Sequence, residues 1–160
     1  MTVAGTLDTR EWDAALAKLA GPLREHLARS MGVAGGQVMR DEAKLLAPKD
    51  SGVLADAIYL AFRDKESTEA RVVYRVTWNA RKAPHGHLLE FGHWQPYTVV
   101  RLPDGSYFTD KSRPLPQPKW IPAHPFLRPA MGAWPQAQSA MIRRGRQRLP
   151  ELLAGAIDEP

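Results

Sequence analysis

Three histidines and a carboxylate fall within nine residues: His85, His87, Glu90 and His93. On a strand, the His-x-His pair would put two imidazoles on one face, and His93 could complete a tetrahedral zinc site for a metal-dependent hydrolase. The stretch has no His-Glu-x-x-His helix and no second carboxylate at ligand spacing, so the three histidines stand as candidate ligands only. Nucleophilic chemistry has less support. Ser51 precedes Gly52 but lacks the Gly-x-Ser-x-Gly elbow. The Asp41-Glu42 carboxylates sit beside Arg40 and Lys44, where solvated charge on a helix is the ordinary state. Gly32–Gly36 is not followed by the Lys-Ser/Thr of a phosphate loop. No enzyme, metal or cofactor is expected.

Arg143, Arg144, Arg146 and Arg148 could neutralise several phosphates and make binding salt-dependent. Aromatics for base stacking are not interleaved with them, which disfavours single-strand or sequence-specific reading. Arginines near a helix C-terminus also meet the negative end of its dipole. The run is therefore read as facing DNA, an acidic partner, or solvent. It lies in the basic part of the chain. Residues 101–148 carry 9 Lys/Arg against 2 Asp/Glu, whereas residues 1–100 carry 13 against 12.

The elements that must position these residues come from a chain of 160 residues, a length that suits one domain with a buried core. Hydrophobic residues at 44% and charged residues at 24% are ordinary globular usage, which excludes wholesale disorder. The absence of cysteine excludes a disulfide scaffold, a thiolate metal site and a thiol nucleophile, and fits folding in a reducing cytoplasm. No apolar run reaches the ~18 residues of a membrane span.

Residues 1–8 show no apolar period and read as an N-terminal arm. Asp8 or Thr9 can cap a helix from Arg10 to about Ala20, and Gly21-Pro22 reads as a restart or kink. Leu16, Leu19, Leu23, Leu27, Met31, Ala34, Val38 and Leu45 then keep the α-helical period of about 3.6 residues. The helix ends near Ala47 because Pro48 pushes its predecessor out of the α region. A short helical turn from Val53 passes into an extended run at 57–62. That run can pair with Arg71–Trp78 as a hairpin. Tyr97–Leu102 and Ser106–Thr109 flank the Pro103-Asp104-Gly105 turn as a second hairpin. Nine of the 14 prolines lie between Pro96 and Pro135, and Pro114, Pro116 and Pro118 alternate, which predicts an extended strap. A last helix spans about 126–149, interrupted by Pro150. The expectation is α+β: a long N-terminal helix packed on a small antiparallel β-sheet, with a C-terminal helix. It comprises an arm at 1–8, one domain at 9–150 with a Pro-rich loop at about 94–120, and a tail at 151–160.

Three separated segments resemble one phage family. They are Ala47-Pro48-Lys49-Asp50-Ser51-Gly52-Val53-Leu54 with Ala57-Ile58, then His87-Leu88-Leu89-Glu90-Phe91-Gly92, then Pro122-Ala123-His124-Pro125-Phe126-Leu127-Arg128-Pro129-Ala130. Their order and spacing are similar to those of the tail-component or tail-completion proteins of tailed phages, typified by gene product ten of a lambdoid coliphage. His93 stands where the family usually has threonine, Ala57 where it has serine, and the insert from Trp94 to Lys119 is long and proline-rich.

The resemblance implies a structural virion protein of the neck or upper tail, made in the host cytoplasm. It would complete the tail or join it to the head as a ring, hexameric or of related symmetry. Alternatives are a tail terminator ring that caps the tube and, from a different class, a DNA-binding module using the basic helix. Implied partners are further copies of itself, the tail tube or terminator, the head–tail connector, and genomic DNA without sequence preference; no membrane is implied. Physical roles follow for the motif residues. Asp50, Ser51 and Gly52 suit a tight helix-to-sheet turn, with Leu54 and Ile58 pointing inward. Glu90, before Phe91-Gly92, is a carboxylate in an apolar stretch and needs a partner, for which Arg128 is the candidate. Pro125 and Pro129 fix the approach of the last helix while Phe126 plugs the sheet. Trp94, Tyr97, Tyr107 and Trp120 are candidate anchors between subunits, or else cover the sheet within one subunit.

Overall fold

The computed structural model describes residues 21–49, 52–68, 71–103 and 105–157. The helix expected at 10–20 with its caps, and the roles given to Asp50 and Ser51, lie outside these residues. The elements run α1 (Gly21–Leu46), α2 (Val53–Ala57), β1 (Ile58–Phe62), β2 (Tyr74–Trp78), α3 (Gly86–Phe91), β3 (His93–Arg101), β4 (Tyr107–Ile121), α4 (Leu127–Ala130) and α5 (Trp134–Ile157). Single 3-10 turns at Asp64–Glu66 and Met131–Ala133 join β1 to β2 and α4 to α5. The fold is α+β, with two separate antiparallel pairs, β1–β2 and β3–β4, rather than one sheet.

Helix α1 packs along α5, and glycines decide how closely. A Cβ on Gly35 would collide with the Met141 side chain, and one on Gly145 would lie 3.0 Å from Met31 Sδ. Each helix thus seats the other's methionine over its own glycine, four residues on, and the reversed pairing makes the two antiparallel. Gly36 admits Leu60 of β1 in the same way, a Cβ there falling 2.6 Å from Leu60 Cδ1. Gly32 does the same for the Tyr74 ring, 2.8 Å from a Cβ there, so Gly32, Gly35 and Gly36 each admit a neighbouring side chain.

This close approach corrects the expected apolar stripe. Beyond Met31, the buried face of α1 runs through Gly35, Gly36, Ala43 and Ala47, and Leu45 is 65% exposed. Two residues past Ala43 is about 200° around the helix, so Leu45 faces away from the core. The main core joins Ala43, Ala47, Leu54, Ala57, Ile58, Ala83, Phe126 and Ala130, with Trp78 and Leu89 against it. A second cluster, Leu27 and Met31, is packed by Leu23, Met141, Leu149 and Leu152. Leu149 and Leu152 lie on either side of Pro150, and their contacts carry α5 through that proline to Ile157. The expected break at Pro150 and loose tail from 151 are therefore replaced by helix, tertiary packing outweighing the one hydrogen bond that proline removes.

The first hairpin pairs Ile58 with Trp78 through Phe62 with Tyr74 in unbroken register. Its tip is tied by the Glu66 carboxylate, which accepts from Arg63 Nε at 2.9 Å and Arg75 Nη2 at 3.1 Å. The second hairpin expected around the Pro103–Gly105 turn is present, and the Pro-rich loop expected about it at 94–120 is strand as well, so the whole is one two-stranded ribbon, β3–β4. The prolines do leave a mark: β4 carries three extra residues between the Gln95–Lys119 and Tyr97–Pro114 pairs. Three more intervene before Thr98–Asp110. Residues without an N–H cannot hold a ladder, so the strand bulges there.

Candidate functional site

The foot of the ribbon is a clasp. Glu90, at the end of α3, is 2% exposed. Its Oε2 accepts from the amides of Phe126 at 2.8 Å and Leu127 at 3.0 Å. Its Oε1 accepts from the amide and Nε of Arg128, both at 3.1 Å. Arg128 Nη2 returns a bond to the Glu90 carbonyl oxygen. A carboxylate from α3 thus takes the orphan amides at the start of α4, a capping role supplied from a distant part of the chain. Burial pushes the Glu90 pKa up, but the three amides and the guanidinium outweigh it and hold the carboxyl below its usual value.

Gly92 adopts φ 74°, and a Cβ there would lie 2.8 Å from the Ile121 carbonyl oxygen, so the chain can leave α3 for β3 only through glycine. The amide of His124 bonds the carbonyl of Leu89 at 2.8 Å and closes the other side of the foot. Phe126 is fully buried and meets the Trp78 indole edge-on at 5.8 Å. Phe91, in contrast, is half exposed, with the Arg128 guanidinium over its ring at 5.5 Å. Pro125 is half-buried and Pro129 exposed. Leu54 and Ile58 are buried, and Gly52 takes φ 73° just before α2.

Above the clasp, β3 and β4 pair with each other and make only sparse contacts with the helices and the first hairpin. Trp94 and Trp120 face each other across the ribbon, ring centres 5.4 Å apart, yet are 63% and 46% exposed. Toward the tip Tyr107 is exposed, with Arg101 over its ring at 5.9 Å, while Tyr97 is half-buried. The structure adds residues to this surface: Val99, Val100, Leu102 and Phe108 are exposed as well. Their signal in the sequence was the apolar content of two runs flanking a turn, without any sign of what they would face.

The histidines do not converge. His85 and His87 are exposed on the turn into α3 and on α3 itself, and His93 opens β3 with its Nδ1 shut away from water and unpartnered among the described residues. Among the described residues, no three His, Cys, Asp or Glu are grouped to hold a metal. The four arginines of α5 also part company. Arg144 Nε bonds Ser30 Oγ on α1 at 2.9 Å, and Arg148 pairs with Glu151. Arg143 and Arg146 line an open groove of α5 with Ser139 and Gln147, and Arg143 with Arg144 also borders the groove facing Gln37 and Asp41 of α1.

A family model described as "Bacteriophage HK97-gp10, putative tail-component" matches residues 10–92, more than half of the 160-residue chain. The match ends at Gly92, the residue before the ribbon, and so takes in Glu90 but not the Pro122–Ala130 segment that it binds. No curated protein and no solved structure matches the chain. No helix among the described residues is long and apolar enough to cross a membrane. The chain belongs to the HK97-gp10-like family of phage tail components.

Proposed function

We propose that this tail component completes the tail, or joins it to the head, as a ring of identical subunits at the neck. The observation that carries the reading is the ribbon. An isolated two-stranded ribbon is marginal in water, and this one shows Trp94, Val99, Val100, Leu102, Tyr107, Phe108 and Trp120 to solvent. Such a surface is suited to burial against another subunit, and rings arise from head-to-tail contacts that close. In this reading one domain, extending through α5 rather than ending at 150, builds the ring; its role is assembly rather than catalysis, and Trp94, Tyr97, Tyr107 and Trp120 meet a neighbour. A terminator ring on the tail tube uses the same surface. Arg143 and Arg146, which have no carboxylate within ion-pair distance among the described residues, favour a polyanion or an acidic neighbour along α5.

Cryo-electron microscopy of the neck in purified virions tests this. A closed ring of this protein between head and tail is the expected result; a copy found only elsewhere in the tail, or absent from the particle, overturns it.

A further inference from the structure

We propose that α5 grips the phosphate backbone of duplex nucleic acid through Arg143 and Arg146. This rests on the reading of α5 as facing a polyanion or an acidic neighbour, and names which of the two. Ser139, Ile142, Arg143, Arg146 and Gln147 line one groove, and their spacing of three and four residues puts them on one stripe of the helix. Residues three apart hold their Cβ atoms about 5–6 Å from each other, so the two guanidinia reach out side by side and can each take a phosphate. Gln147 has no hydrogen-bond partner among the described residues and adds a donor beside them. Ser139 does not, since its hydroxyl already donates to the Pro135 carbonyl at 3.0 Å.

Helix α5 runs on to Ile157, about three turns past Arg146, so the dipole at its C-terminus does not account for the two cations. The acids nearest in the sequence and in the adjoining groove are already matched. The chain has no Asp or Glu between Asp110 and Glu151. Glu151 pairs with Arg148, and Asp41, across the α1 groove from Arg143 and Arg144, pairs with Arg40 at 2.7 Å. Protein interfaces, moreover, are built around a core of apolar and aromatic side chains. Among the described residues, α5 exposes no large hydrophobic side chain from Trp134 to Pro150. Positive charge without an apolar centre suits a ligand that is itself charged along its whole length. The lack of exposed aromatics also removes the stacking that holds single strands, which leaves the duplex.

Fluorescence anisotropy of the full-length protein against short labelled DNA duplexes, across a salt series, tests this. Duplexes of unrelated sequence should bind alike, and the slope of log affinity on log salt should shrink by about two in Arg143→Ala/Arg146→Ala. Arg143→Lys/Arg146→Lys should keep the slope, and Gln147→Ala should weaken binding about fivefold without changing it. Both arginines are exposed, so the thermal midpoint of Arg143→Ala/Arg146→Ala should not move. An unchanged slope in that variant, or tighter binding of single strands than of duplex, overturns the inference. Binding of poly-glutamate but not of duplex overturns it and leaves the acidic-neighbour reading; binding of neither ends both. The assay reads one subunit's site and needs no ring, so a ring in the virion neck whose subunits ignore duplex overturns this inference alone.

Discussion

Glu90 and Arg128 stand 38 residues apart in the chain, and the arginine's amide and guanidinium both bond one carboxylate oxygen of the glutamate. The other oxygen is filled by the amides of Phe126 and Leu127. The pair is therefore half of a four-donor cage around a buried charge, and its parts carry unequal weight.

Removing the charge should cost more than removing the guanidinium. Glu90→Gln leaves buried amides with a weaker acceptor, and a loss of about 2–4 kcal/mol is expected in urea denaturation. Arg128→Ala leaves three amides on the carboxylate and exposes Phe91; about 1–2 kcal/mol is expected. Equal losses would mean that the cage acts through its ion pair alone.

The same cage sets an acid limit. The folded pKa of Glu90 lies below its unfolded value of about 4.3. Its contribution is thus complete above that value and disappears as pH falls through the folded pKa. Glu66 and Asp110 are lowered as well, by Arg63 and by Ser112 respectively, but both lie near the surface where salt screens them. Stability measured from pH 6 downward at ~0.5 M salt should therefore fall less steeply in Glu90→Gln than in the unmodified protein.

The helix pair makes a third prediction. Gly35→Val drives a branched side chain into Met141 and should cost about 1–3 kcal/mol, read as a lowered thermal midpoint. Gly132→Ala meets nothing within 4 Å and should be neutral or stabilising by up to about 1 kcal/mol. A neutral Gly35→Val would show that α1 and α5 can part without penalty.

The arginines supply a fourth. Retention on a polyanion column should fall in Arg143→Ala/Arg146→Ala, with the salt slope reduced by about two. Arg144→Ala/Arg148→Ala should change it less, because those guanidinia are engaged with Ser30 and Glu151. The reverse order would place the polyanion-binding charge at Arg144 and Arg148 despite their partners.

What the sequence made legible is local or motif-borne. The Val53 turn passing into a strand, the hairpin to Trp78 and the turn at Gly105 follow from proline, glycine and alternation within a few residues. The Glu90–Arg128 pairing was reachable from two motifs and the need of a buried charge for a partner. Leu45 was misplaced because a leucine spaced at 3.6 residues counts toward a stripe, whereas the real contact face is made of Gly35, Gly36, Ala43 and Ala47, which carry almost no hydrophobic signal. The tip of the ribbon was legible as a hairpin, but its lower part was not, because Pro114, Pro116 and Pro118 argue against a paired strand, and only the long partner β3 holds β4 in a ladder around them. Pro150 stays inside α5 because leucines on both sides of it reach α1, which no local rule contains.

The clasp has a consequence for inheritance. Both ends of the ribbon are pinned below it, by Glu90 on the Phe126–Arg128 amides and by His124 on Leu89. The body closes on itself beneath this finger, so a change at Val99, Val100, Tyr107 or Phe108, all exposed near the tip, displaces no core side chain. Inherited change is accordingly least costly there, and most costly at Glu90, Gly92 and Phe126, where the foot is fixed by its neighbours.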